Sequence, residues 1–216
     1  MSSRVGFARS HAVSSLVAYL RGVCVLLLAL GLAGCVTASN PLSRDQAAGL
    51  RLSAVNVSFA PGAKISWIDG ERAYASTRGE QSNAVANTPE GQAYIRNVIG
   101  SKVKGAMERH VGARLKGTRL VRMEVNVTEV EIASAVQRVL VGGHHRMQGD
   151  VTLVDAKTGE VLLANPAQTA TGIAGQGIAG TLIDQAIAPN PIDRVVDTYA
   201  GQYSAWLLPI DPNGPI

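Results

Sequence analysis

One glycine-rich stretch has the spacing of a nucleotide-binding loop. Gly175, Gly177 and Gly180 match the GxGxxG pattern that lets a backbone approach a pyrophosphate. That motif also needs a ribose-binding acid at the end of a following parallel strand, whereas the downstream acids, Asp193 and Asp197, fall in a predicted helix. We therefore interpret the segment 172–180 as a flexible or closely packed Gly/Ala segment and predict no nucleotide cofactor.

Two adjacent histidines are the other candidate ligand set. His144 and His145 could bind zinc, but consecutive side chains on an extended chain point in opposite directions and seldom bind one ion together. His110 is predicted on the apolar face of a helix, where a buried core histidine is expected. The sequence has no HExxH motif and no set of ligand cysteines, so we predict no metal site.

Nucleophilic catalysis lacks a recognisable motif. The sequence contains no GxSxG elbow, and its acidic residues are scattered without a spacing that suggests a catalytic pair. We therefore expect a protein that is not an enzyme, with a hydrolase as a less favoured alternative.

The first 34 residues have the layout of a secretory signal. Three arginines and no acidic residue precede the apolar run 23–32, which small residues follow. That run is about half the ~20 residues needed to span a bilayer as a helix. We predict that residues 1–34 are removed.

The residue that ends this signal is a cysteine. Leu32-Ala33-Gly34-Cys35 resembles the lipobox of bacterial lipoproteins, which implies lipidation of Cys35 and cleavage before it. Cys24 lies in the removed segment, so Cys35 would be the one cysteine of the mature chain and no internal disulfide could form. Since Val36 follows it, not the Asp that favours inner-membrane retention, the resemblance implies the outer membrane, with the domain facing the periplasm.

The net charge of the mature chain is small. The full sequence has a formal charge of +4, but removal of the signal leaves 17 basic and 16 acidic side chains. A nearly neutral body gives no general argument for nucleic-acid binding, and we predict none.

The remaining residues predict one domain. We assign 35–49 to the lipidated cysteine and a tether, 50–208 to a single domain and 209–216 to a loose tail. Alternating apolar residues predict a strand at 55–59 and a weaker one at 64–68, and the polar segment 70–87 is predicted to be a surface loop.

Longer elements follow in the second half of the chain. Thr88-Pro89-Glu90 starts a predicted helix that runs to Gly117. A strand at 120–132 with a bulge near 128–130, a hairpin at 147–164 and a helix from 190 to 208 complete the order, with a capping box expected at Asn190. This order predicts an α+β, two-layer domain, with a mainly antiparallel sheet and both the long amphipathic helix and the C-terminal helix packed on one face.

Three cations on the long helix form a candidate docking surface. Lys102, Arg109 and Lys116 repeat every seven residues and so form a nearly straight stripe, which is either a solvated face or a docking strip for an acidic partner or anionic headgroups. If it docks, replacement of all three by Glu is expected to weaken association with a membrane or partner while leaving the melting temperature nearly unchanged.

The second half of the chain resembles a known class of proteins. Residues 139–143 and the stretch 149–162, GDVTLVDAKTGEVL, are similar to small proteobacterial lipoproteins that are classed as domains of unknown function. By analogy, this resemblance implies an accessory binding subunit of an envelope assembly or export system, bound to the membrane through Cys35 and to an unknown envelope protein. A carrier of lipid or lipopolysaccharide, which would need an apolar cavity, is the alternative.

Overall fold

The structure is a computed structural model that describes residues 40–140, 143–173 and 190–209. Cys35, the predicted signal, the GxGxxG glycines and the tail after Pro209 lie outside these residues. The residues from Asn40 onward belong to one compact unit, Asn40–Ile216.

A four-stranded sheet forms one layer of the domain. Its strands are β1 (Leu50–Trp67), β2 (Arg119–Ile132), β3 (His144–Asp155) and β4 (Val161–Ile173), and they lie side by side in chain order. β1 pairs with β2 in parallel, while the β2–β3 and β3–β4 pairs are antiparallel. The sheet is therefore mixed, and the prediction of a mainly antiparallel sheet holds for two of its three strand pairs.

β1 is one long strand rather than the two short strands that we predicted. Its register against β2 slips between Phe59 and Lys64. Pro61 lies inside this slip beside Gly62, whose φ of 75° is a backbone conformation that glycine adopts readily. Pro61 and Gly62 thus form an interruption within a continuous strand.

The predicted surface loop at 70–87 is wrong. Helix α2 occupies Ile68–Thr77, and a 3₁₀ turn occupies Asn83–Asn87. Tyr74 and Ala86 are buried, and the Tyr74 ring lies 5.2 Å from the ring of Tyr94. The segment has too few apolar residues to show a helical period, so packing against neighbouring elements decides its structure.

Helix α3 (Pro89–Met107) belongs to the connection between β1 and β2. As predicted, the Thr88 hydroxyl accepts a hydrogen bond from the Gly91 N–H at its start. The predicted end at Gly117 is wrong, because α3 passes into a π-helical turn at Glu108–Gly112. Gly117 serves a close approach instead, since a Cβ atom there would lie 2.0 Å from the Gly49 carbonyl oxygen.

The last helix, α5, packs beside α3 on the same face of the sheet. It spans Pro191–Leu207 and ends before Pro209 as predicted, but Asn190 makes no side-chain capping bond, so the expected capping box does not form. The short helix α4 (Ala135–Leu140), which the sequence did not predict, precedes β3. The core between helices and sheet is apolar and includes Ile95, Ile99, Val103, Val121, Met123, Val125, Val127, Met147, Val151, Leu153, Ile192, Val195 and Tyr199. This arrangement confirms the two-layer α+β fold.

Residues 40–49 belong to the folded domain. They include the short helix α1 (Arg44–Ala48), whose Ala47 is buried. The Asn40 side-chain amide donates hydrogen bonds to the carbonyl oxygens of Trp206 and Leu207, at 3.2 and 3.0 Å. The sequence assigned this segment to a tether, because its few apolar residues show no period, whereas the structure packs it against the end of α5.

The buried hydroxyls of two tyrosines on α5 differ in their partners. The Tyr199 hydroxyl donates a hydrogen bond to the Gly149 carbonyl oxygen at 3.0 Å. The Tyr203 hydroxyl has no hydrogen-bond partner within the described ranges. Burial raises the pKa of both groups, so both are neutral donors near neutral pH.

We predict that replacing each tyrosine by Phe changes stability in a different way. Tyr199→Phe removes the buried hydrogen bond to the Gly149 carbonyl oxygen and should lower the free energy of unfolding by about 1–2 kcal/mol. Tyr203→Phe removes an unpaired hydroxyl and should leave that free energy unchanged or raise it by up to about 1 kcal/mol. Urea unfolding of the matched pair measures both values, and equal losses in the two variants would contradict the assignment.

Asp155 fixes the turn between β3 and β4. One carboxylate oxygen accepts hydrogen bonds from the N–H groups of Lys157 and Thr158, and the other lies 2.8 Å from the Arg119 Nε. The Thr158 N–H, then the Arg119 hydrogen bond, lower the pKa of Asp155 from 3.8 to about 2. Gly159, with φ of 75°, closes this predicted turn.

We predict that Asp155 makes stability depend on pH in the acid range. Because the pKa is lower in the folded state, the contribution is complete above about pH 4 and is lost as the pH falls through about 2. Asp155→Asn should therefore be less stable than the wild type at pH 7, and the difference should shrink towards pH 2. Denaturant unfolding across this range measures it, and a difference independent of pH would refute the prediction.

Candidate functional site

The three histidines of the described chain do not form a metal site. His145 is buried in β3 and His144 is exposed, as expected for neighbours on a strand. Across the described ranges, no three His, Cys, Asp or Glu side chains lie close enough to hold an ion. The prediction of a core position for His110 is wrong, because the π turn moves it to the side of α5, where its Nε2 lies 3.4 Å from an Asp197 oxygen.

The predicted basic stripe is not a free surface. Lys102 Nζ lies 2.6 Å from the carboxylate of Asp193, and Arg109 Nη2 lies 2.8 Å from that of Asp197. Both acids are on α5, so these two cations join the helices across their shared face. The seven-residue spacing therefore identified a contact between helices.

The third residue of the stripe lies beyond the helix. Lys116 is exposed and forms an isolated β-bridge with Arg51 at the start of β1. The π turn breaks the helical spacing, so Lys116 does not continue the line of Lys102 and Arg109. A docking role for the three together stays a prediction, without the continuous surface on which it was based.

A groove lies on another side of α3, between this helix and β1. Its volume is about 570 Å³. The floor consists of Val57, Phe59 and Ala60 of β1. The wall is formed by one side of α3, namely Ala93, Arg96, Asn97, Gly100, Ser101 and Lys104.

Small residues on α3 leave this groove open. Gly100 faces the floor, and a Cβ atom there would lie 3.8 Å from the Phe59 ring and 3.9 Å from Val57, which is ordinary contact. Ala93 and Ser101 widen the same side of the helix. Val57 and Phe59 are therefore half-buried, with apolar surface accessible from the groove.

The charge of the groove is positive and uncompensated. Arg96 and Lys104 form no ion pair with any described residue, and Arg96 makes one weak hydrogen bond, at 3.4 Å, to Gln92. They differ in this from Lys102 and Arg109, whose charges are matched by α5. The groove thus combines two available cations with an apolar floor.

The groove lies beside an open edge of the sheet. β1 is the first strand in the sheet order and, among the strands that the structure describes, pairs with β2 alone. Its other edge, apart from the Arg51–Lys116 bridge, has no strand partner among the described residues. Backbone N–H and C=O groups on such an edge are available for pairing.

This groove was not predicted from the sequence. Its helical wall follows the spacing Ala93, Asn97, Gly100 and Lys104, which places these residues on one side of a helix. The small residues on this side of the predicted helix, next to Arg96 and Lys104, were the signal from which the groove could have been predicted. The seven-residue repeat of Lys102, Arg109 and Lys116 instead predicted a binding surface on the neighbouring side of the helix.

No family model matches the chain, and no curated protein matches it by sequence. None of the helices in the described ranges has the length and apolar character needed to cross a membrane.

Several solved structures share a limited likeness with the chain. They include a predicted lipoprotein from Caulobacter crescentus CB15, with 18% identity and a TM-score of 0.32 over 51% of this chain and 80% of that one. A Xanthomonas campestris protein of DUF330 has 11% identity and a TM-score of 0.40 over 80% and 90%. The PelC dodecamer from Paraburkholderia phytofirmans has 14% identity and a TM-score of 0.34 over 75% and 93%.

These likenesses include the two kinds of protein that the sequence resembles, a lipoprotein and a member of a family defined only as a domain of unknown function. At these TM-scores they carry no argument about the site.

The ion pairs between α3 and α5 lead to a prediction that differs from the one drawn from sequence. Lys102→Glu places two like charges together and should lower the free energy of unfolding by about 1 kcal/mol, because each side chain is partly exposed. The double variant Lys102→Glu/Asp193→Lys should recover most of the loss. Lys116→Glu, a matched reversal outside the pair, should change it by less than about 0.5 kcal/mol. Equal effects of the two single reversals in thermal or urea unfolding would contradict the pairing.

Proposed function

We propose that this protein is a lipid-anchored, non-catalytic envelope protein whose domain binds another envelope component in the groove between α3 and β1. The observation that carries the proposal is the groove itself. There Arg96 and Lys104 lie above an apolar floor beside an open strand, without an ion-pair partner in the part of the chain that the structure describes. On the side that faces α5, by contrast, Lys102 and Arg109 are neutralised by acids of the same chain. The availability of Arg96 and Lys104 in the groove therefore supports binding to a partner.

The anchor in this proposal is Cys35, lipidated in the outer membrane with the domain facing the periplasm. Asn40 comes five positions after Cys35 in the chain. A chain of that length spans at most about 17 Å. Since Asn40 is bonded to the last turn of α5, the lipid would hold this end of the domain close to the bilayer.

The groove lies away from that end. Val57, the first floor residue, is seven residues along β1 from Leu50, or about 23 Å at the usual rise per residue. A partner could therefore reach the groove without competing with lipid headgroups. This separation of anchor and binding surface suits an accessory subunit of an envelope assembly.

The alternative, a carrier of lipid or lipopolysaccharide, requires an apolar site that shields acyl chains. The groove is open and lined by Arg96, Asn97 and Lys104 as well as by apolar residues. Its composition favours a partner with both polar and apolar groups over an acyl chain. Mass spectrometry of the purified protein tests this alternative, since a stoichiometric bound lipid would support the carrier.

Site-specific crosslinking in cells tests the binding surface. A photo-reactive amino acid at Asn97 lies in the groove, and one at the exposed Glu131 lies on β2 outside the groove lining. We expect a discrete protein adduct from Asn97 and none of the same size from Glu131. Adducts that are equal at both positions, or missing at Asn97, would overturn the proposed binding surface.

Fatty-acid labelling tests the anchor separately. Wild-type protein should incorporate labelled fatty acid and fractionate with the outer membrane, whereas Cys35→Ser should do neither. Label that persists on the Cys35→Ser variant would refute the anchor without bearing on the groove.

A further inference from the structure

We infer that the groove binds an extended, acidic segment of a partner protein, which adds a fifth strand to the sheet along the free edge of β1. This inference rests on the proposed function and specifies the chemistry and geometry of the partner at the same site.

The geometry of β1 favours strand addition. From Ala54 to Phe59 it pairs with β2 without a register slip, so its opposite edge is regular over the same residues. Side chains on an added strand would alternate between the two faces of the sheet. Every second side chain would therefore enter the groove beside Val57 and Phe59, under α3.

The length of the groove matches a short strand. Its helical wall runs from Ala93 to Lys104, which corresponds to about 17 Å at 1.5 Å per residue. About five extended residues cover this distance. Two or three of their side chains would face the groove.

The opposite edge of the sheet is less suitable. β4 contains Pro166, which lacks an N–H group, and Ala167, whose φ of 52° departs from the extended conformation. Its pairing with β3 also slips between Gly149 and Val151. Such interruptions protect an edge strand from pairing, and the 54–59 stretch of β1 has none.

The positive charge of the groove indicates which kind of segment binds there. Arg96 and Lys104 in the groove require acidic groups on the bound segment. A second copy of β1 would supply none, because residues 50–67 contain Arg51 and Lys64 and no acid. Pairing between two copies would therefore bring like charges together, whereas an acidic segment of another protein would be attracted.

An unbiased peptide selection tests this inference. The bait is the chain from residue 36 onward, which contains the whole compact unit, and the probe is a displayed library of random ten-residue peptides. We expect the selected peptides to alternate acidic or polar with apolar residues. A synthetic peptide of the selected sequence should bind more weakly as salt is raised and should protect backbone amides of residues 54–60 from hydrogen exchange.

Matched variants locate the binding. Gly100→Leu fills the groove, and Arg96→Glu/Lys104→Glu reverses its charge, so each should weaken binding of the synthetic peptide at least tenfold. Lys157→Glu reverses an exposed charge in the turn between β3 and β4, outside the groove, and should leave binding within twofold. If Gly100→Leu lowers the melting temperature, Ala93→Leu fills the same groove from an exposed position.

Several outcomes would overturn the inference. These are selected peptides without acidic residues, protection outside β1, and equal binding by the Lys157→Glu and Arg96→Glu/Lys104→Glu variants. Protection of residues 54–60 that depends on protein concentration alone would identify a second copy as the occupant. An Asn97 adduct in cells combined with any of these outcomes would leave the proposed function standing and refute only strand addition by an acidic segment.

Discussion

The parallel pairing of β1 with β2 is the constraint on which the rest of the domain depends. Two consecutive parallel strands need a long connection, and here it consists of α2, α3 and the turns around them. That connection covers the β1 side of one face of the sheet, where α5 covers the β3 and β4 side, and β1 lies at the edge of the sheet. The same requirement places α3 over β1, so the open strand and the helical wall of the groove result from one topological choice.

The cations of α3 divide into two sets according to their direction on the helix. Lys102 of α3 and Arg109 of the π turn that follows it face α5 and are matched by its acids. Arg96 and Lys104 line the groove beside β1 and form no ion pair with the residues that the structure describes. Ion pairs at this exposure contribute little to stability individually. They lie where α5 packs beside α3, and no α5 residue lines the groove on the other side of α3.

Local chemistry explains which elements could be predicted from sequence. The Thr88 cap, the hairpin at Asp155 and Gly159, and the bulge in β2 depend on a few neighbouring residues, and all three are present. Helix α2 lacks a periodic apolar pattern and depends on packing, as does the approach of Gly117 to Gly49. The groove was missed for the same reason, because the importance of Gly100 appears only when β1 lies opposite it.

The bond between Asn40 and the last turn of α5 has a topological consequence. Arg44 extends it, since its guanidinium lies 3.1 Å from the Pro209 carbonyl oxygen, so the first and last residues that the structure describes lie close together. A chain whose ends adjoin is nearly a closed ring, and such domains tolerate circular permutation. Joining these ends and opening the chain at the 156–159 turn would keep every strand pair of the sheet, while freeing the domain from any requirement to be tethered by its first residues.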